Sequence, residues 1–198
     1  MIHVYPGMGA TKEMYSQPWS ELENSTFHNW PQWEGEKTIP EIAQRMIIEH
    51  KILAGDTLIG SSLGGIIACE IANQLKLKQV ILIGSASQKE EINRFLQIIH
   101  PIADLAPLEF IRLLSGKVPM ELAQMIHQNQ AEVIRHSSKA IFQWRGLQSS
   151  VKITRIHGTK DLVIPLPTAV DYQIEAGHLI AMTHAKDCLE IVLKCLKI

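Results

Sequence analysis

The chain has 198 residues, of which 46% are hydrophobic and 20% charged, with a formal net charge of −1. That is enough for one domain with a core of its own and too apolar for a disordered chain. So even a charge balance gives no footing for nucleic acid or for an anionic membrane surface.

The three cysteines, Cys69, Cys188 and Cys195, are odd in number and lie inside apolar helical patterns, so they read as small core residues rather than disulfide partners. A reducing compartment follows. No apolar run approaches the about 20 residues of a membrane span, and the first ten residues break at Pro6-Gly7 before a signal peptide's hydrophobic segment could form. The expectation is a soluble, cytoplasmic protein.

Taken in chain order, short apolar runs end at glycine or proline and alternate with helical periodicities. "IHVY" (2–5) runs into Pro6-Gly7 and "STFHNW" (25–30) into Pro31; a helix then carries Ile39, Ile42 and Met46 on one face. "DTLI" (56–59) runs into Gly60, a stretch after Gly65 is apolar on nearly every side, and "QVILI" (79–83) runs into Gly84. Later, "VKITRI" (151–156) meets His157-Gly158 and "VDYQIE" (170–175) meets Ala176-Gly177; the final helix spaces Cys188, Ile191, Val192 and Cys195 at i, i+3, i+4 and i+7. Strands that are apolar throughout, separated by helices, imply a doubly wound α/β domain whose mostly parallel sheet of about six strands is covered on both faces.

Between Ser85 and Gln148 the alternation stops. About four helical segments replace it, the clearest carrying Ile92, Phe95, Leu96 and Ile99 on one face, with Pro101, Pro107 and Pro119 as punctuation. Inserted after the fourth strand, residues 85–148 are expected to form a helical cap over the C-terminal edge of a sheet built from residues 1–84 and 149–198. Open α/β sheets bind their ligands at that edge.

The strand-to-turn-to-helix passage "LIGSSLGGIIACE" (58–70) places Gly60 and Gly64 two residues before and after Ser62, which is the G-x-S-x-G pattern of a nucleophile elbow. So tight a turn strains the central residue and leaves no room for side chains at the flanking positions. It also aims backbone N–H groups at the start of a helix toward the serine, where an oxyanion can be held. On the pentapeptide alone, a Gly/Ser-rich turn without chemistry reads equally well.

A serine hydroxyl needs a base to take its proton, and the base needs a carboxylate to orient it. Among nine histidines, His178 follows the last expected strand on the sheet edge that carries Ser62. His3 and His28 fall in early strands, and His50, His100, His127 and His136 in helical or cap segments; His157 ends a strand, and His184 lies on another face of the helix after His178. Asp161, in "RIHGTKDLVIP", sits in the loop after the penultimate strand, where a turn aspartate capping local N–H groups is the alternative reading. Asp104 in the cap and Asp187 in the last helix are the other carboxylates weighed. With Asp161 the chain order is Ser, Asp, His.

On these motifs, "GSSLGG", "HGTKDLVIP" and "AGHL", the chain resembles proteins of the α/β-hydrolase-fold superfamily over nearly its whole length. The resemblance implies a Ser62, His178 and Asp161 triad, and an oxyanion loop in "YPGMGA" whose Met8 N–H acts beside that of Leu63. It implies a trimmed fold as well, since this chain begins where the third strand of that fold would stand. Pro6-Gly7 replaces the usual His-Gly of the oxyanion loop. The segment after the second strand lacks the glycine-rich aspartate-arginine loop, leaving Trp30 and Trp33 as pocket walls or core wedges.

Other chemistries find no pattern. There is no H-E-x-x-H or paired-cysteine spacing for zinc, no phosphate loop and no dinucleotide fingerprint, so neither metal nor cofactor is expected. Met14, Phe95, Phe110, Met125 and Trp144 are candidates for an apolar pocket under the cap, or for the cap's own core. The function expected is hydrolysis of a small or medium acyl ester or thioester through an acyl-enzyme. A ligand-binding or interaction module of the same fold, and an acyltransferase or lyase using the same residues, are the alternatives.

Overall fold

The computed structural model describes residues 1–93 and 136–197. Six strands form one sheet: β1 (Ile2–Tyr5), β2 (Ser25–Phe27), β3 (Thr57–Ser61), β4 (Gln79–Ile83), β5 (Ile153–Gly158) and β6 (Tyr172–Ile174). Every neighbouring pair is parallel, in the order β2-β1-β3-β4-β5-β6. Among the described residues, helices α1 (Ile39–Glu49), α2 (Leu63–Gln74), α3 (Ile180–Thr183) and α4 (Ala185–Leu196) flank it. Among the described residues no helix is long and apolar enough to cross a membrane.

The central strands read as unbroken apolar runs because alternate residues enter different cores. Leu58, Val80 and Leu82 pack with Ile39, Ile42, Ala43 and Met46 of α1 and the apolar surface of α2 on one face. Ile59, Ile81, Ile83 and Ile156 meet Trp19 and Cys188, Leu189, Val192 and Cys195 of α4 on the other. All three cysteines are buried free thiols, and burial pushes those of Cys69 and Cys188 up to about 12. Helix α1 starts at a capping box, in which Thr38 accepts from the Glu41 N–H and the Glu41 carboxylate from the Thr38 N–H, with Pro40 in the first turn where a missing N–H costs nothing.

The two edge strands are shorter than their apolar runs suggest. Each pairs over three residues, and His28 lies just beyond β2, its N–H on the Val4 carbonyl. His184 is found at the junction of α3 and α4 rather than on a helix face. Of the expected cap, residues 94–135 lie outside the described residues, taking with them Phe95, Phe110, Met125, Asp104, His100 and His127.

The order of the strands creates the ligand position. From β1 the chain crosses to β2 on one side and returns to β3 on the other, so the connections diverge at the C-terminal ends of β1 and β3. This is the topological switch point of an open α/β sheet.

Around β1, His3, His28, His50 and Tyr5 form a ring stack. Centroids are 5.1 Å apart for His3 and His28, 5.1 Å for Tyr5 and His28, and 4.1 Å for His28 and His50. His3 bonds His28 at 2.9 Å and Asp56 at 3.2 Å, and Asp56 also takes the N-terminal ammonium at 2.6 Å. Burial, then the neighbouring His50 and His3, pushes the His28 imidazole down to about 3; burial also lowers His3 and His50, the latter against the opposing charge of Glu49. These histidines are therefore neutral when folded and protonate more readily when unfolded. Their stabilisation is complete above the ordinary histidine range, near 6.5, and is lost as pH falls below it. The urea midpoint should drop steadily between pH 7 and pH 4, and His28→Phe, which keeps an aromatic ring but removes the titration, should shrink that drop; equal drops in both proteins would contradict the assignment.

Candidate active site

At the end of β3 the chain turns directly into α2, and the turn residue is Ser62, with φ 51° and ψ −119°. A positive φ outside glycine is strained and persists only where the surroundings impose it. Here the packing does so. A Cβ on Gly60 would overlap the backbone of Gly64 and Gly65, and one on Gly64 would come within 2.5 Å of the Pro6 carbonyl and 2.6 Å of that of Tyr5.

Ser62 Oγ lies 2.9 Å from His178 Nε2, and His178 Nδ1 lies 2.8 Å from Asp161 Oδ2. A carboxylate only accepts, so Nδ1 donates to Asp161, and Nε2 faces the Ser62 hydroxyl. The Asp161 side chain is fully buried and that of His178 is 8% exposed. Ser62, His178 and Asp161 are thus brought together from the turn after β3, the loop after β6 and the loop after β5.

Asp161 serves two partners at once. Its Oδ1 accepts the N–H groups of Val163 and Ile164, both at 2.9 Å, which is the local turn bonding, while Oδ2 faces the histidine. Burial opposes ionisation, but hydrogen bonds from His157 and His178, the charge of His178 and the Ile164 N–H outweigh it and hold the carboxyl well below the usual range. His157 is a residue that sequence pattern treats only as a strand end. Its Nε2 donates to the Ile164 carbonyl at 2.8 Å and stands 3.4 Å from Asp161 Oδ2, so it braces the loop from below. The four-residue spacing between His157 and Asp161 was the available signal.

The loop after β1 is held from several sides. Tyr15 donates its hydroxyl to the Tyr5 carbonyl at 2.7 Å, the Trp30 indole N–H reaches the Gly7 carbonyl at 3.0 Å, and the Gly7 N–H points at the Met14 sulfur at 3.4 Å. Trp30 is a core residue that supports this loop, whereas Trp33 stacks on His136 with ring centroids 4.2 Å apart. Met8 is half-buried. Among the described residues no acceptor takes the N–H of Met8 or of Leu63. Met14 is buried in the core beside this loop, and Trp144 is buried against α2, its indole N–H on Glu70 at 2.9 Å. Among the described residues no group of three or more His, Cys, Asp or Glu is placed to hold a metal ion.

No protein-family model and no curated protein matches the sequence. Solved structures do match the fold. A hydrolase from Oleispira antarctica is similar at 14% identity, over 99% of this chain and 90% of that one, with a TM-score of 0.78. The enol-lactonase from Burkholderia xenovorans LB400 is 16% identical over 100% of this chain and 91% of that one, also at 0.78. A thermophilic esterase from Thermogutta terrifontis is 17% identical over 99% and 89%, at 0.70. Likeness at such low identity concerns architecture, and the architecture is shared over whole chains: this protein has the α/β-hydrolase fold.

Proposed function

We propose that the protein is a serine hydrolase that cleaves a small or medium acyl ester or thioester through an acyl-enzyme. The observation that carries the reading is the position of His178, between the Ser62 hydroxyl at 2.9 Å and the Asp161 carboxylate at 2.8 Å. That such folds act on esters and lactones in the similar proteins adds support.

In this reading His178 takes the Ser62 proton as Oγ attacks the acyl carbonyl. Asp161, already ionised, holds the imidazole in the required tautomer and stabilises its protonated form. The oxyanion is received by the N–H groups of Leu63, at the start of α2, and Met8, in the loop after β1. Protonated His178 then gives its proton to the leaving oxygen or sulfur, and a water activated by the same imidazole releases the acid. The described ends of the segment between β4 and β5, residues 85–93 and 136–148, leave the sheet after β4 and rejoin it before β5.

Ser62→Ala should abolish turnover of p-nitrophenyl acetate and butyrate while circular dichroism and thermal midpoint stay those of the wild type; turnover retained by a folded Ser62→Ala protein would remove Ser62 from the chemistry. Asp161→Asn should lower kcat by about 10³- to 10⁴-fold, because the histidine loses the acceptor that selects its tautomer. A folded Asp161→Asn protein with unchanged kcat would show that another group orients His178.

A further inference from the structure

We propose that Ser85 is a positioning residue of the oxyanion hole, its hydroxyl aiming and polarising the peptide group between Ser62 and Leu63. The inference rests on the serine-hydrolase reading and adds to it a side chain that need not touch substrate.

Ser85 follows Gly84 at the end of β4, beside β3, and is fully buried. Its Oγ donates to the Ser62 carbonyl at 2.6 Å. The same oxygen accepts the Gly65 and Ile66 N–H groups at 3.0 and 3.3 Å, as any residue opening a helix would. The Ser85 bond is different because it comes from the loop after the neighbouring strand β4 and is the shortest of the three.

The Ser62 carbonyl and the Leu63 N–H belong to one planar trans peptide unit, so they point in opposite directions. Fixing the carbonyl toward Ser85 fixes where the N–H points. Hydrogen bonds in series also polarise one another, so an amide whose oxygen is heavily bonded becomes the better donor at nitrogen. That nitrogen belongs to Leu63, the amide assigned to the oxyanion.

Two further features show that the contact is built. The elbow pattern asks for glycine at 60 and 64, yet residue 65 is glycine too, and a Cβ there would overlap Ser85 Oγ and stand 2.6 Å from its Cβ. The loop carrying Ser85 is also clamped. Arg155 Nη2 reaches the Ser85 carbonyl at 3.4 Å while both guanidinium ends grip Glu91 at 2.8 Å, and Glu91 in turn accepts the Ser87 and Gln88 N–H groups at 2.7 and 3.2 Å.

The test compares p-nitrophenyl butyrate turnover, and inhibition by an alkylboronic acid whose tetrahedral serine adduct presents an oxygen to the hole, in wild type, Ser85→Ala, Ser85→Cys and Gly65→Ala. Ser85→Ala should lower kcat on the order of tenfold, less than deletion of a whole oxyanion donor, with KM unchanged. Boronate affinity should weaken by the same factor, and the pH dependence of kcat/KM should stay in place because His178 and Asp161 are untouched. Ser85→Cys, a weaker donor of similar shape, should fall between. Gly65→Ala, which displaces the hydroxyl, should lower kcat similarly and add little to Ser85→Ala in the double variant. Wild-type kcat and boronate affinity in Ser85→Ala would overturn the inference alone; should that variant not fold, the same result in Ser85→Cys and Gly65→Ala would do so. A wild-type protein that turns over no ester or thioester overturns the underlying reading and this inference with it.

Discussion

The constraint on which the site depends is the backbone of Ser62, forced into a positive φ where β3 becomes α2. A left-handed serine is unfavourable by itself, and the surrounding atoms leave it no alternative. The carbonyls of Tyr5 and Pro6 press against Gly64, and the start of α2 presses against Gly60. The first contact requires β1 beside β3, the second is made within the turn itself; β3 lies between β1 and β4, both faces covered by core. Burial of the sheet thus supplies the rigidity that holds one hydroxyl above its edge.

The rest of the site follows from topology. Because the chain reverses its winding direction between β1 and β3, the loop containing Met8 and the elbow containing Ser62 lie side by side with no helix between them. Strands β5 and β6 continue the sheet in the opposite direction, and their C-terminal loops bring Asp161 and His178 to the same edge, His178 meeting a serine 116 residues earlier in the chain. Each member is secured separately. Tyr15 and Trp30 anchor the first loop, Ser85 and α2 the elbow, and His157 and two backbone N–H groups the acid.

Much of this was legible in the residues. The central strands declared themselves because both faces are buried, giving "QVILI" its unbroken apolar run, and the elbow declared itself because glycine has no substitute where backbones touch. The edge strands are shorter than "STFHNW" and "VDYQIE" suggest, since composition does not mark where pairing with a single neighbour ends. The motifs that carry Ser62, Asp161 and His178 name three side chains that lie within hydrogen-bond reach of one another in series. What pattern could not supply was the use of a side chain across strands. His157, Trp30 and Ser85 act through partners distant in sequence, and nothing about a strand-end histidine or a serine after glycine announces which carbonyl or carboxylate it will face. Asp161 reads either as a turn cap or as a partner of His178, and its two oxygens do both: Oδ1 accepts the turn N–H groups and Oδ2 faces His178.

The central claim is that Ser62 is a hydroxyl made reactive by its neighbours. Treatment with a fluorophosphonate probe followed by peptide mapping tests it most directly, because an activated serine is phosphonylated and an idle one is not. The account predicts a single adduct per chain, located on Ser62 and lost in a folded His178→Ala protein. A wild-type chain that takes no label, or takes it at another residue, would contradict it.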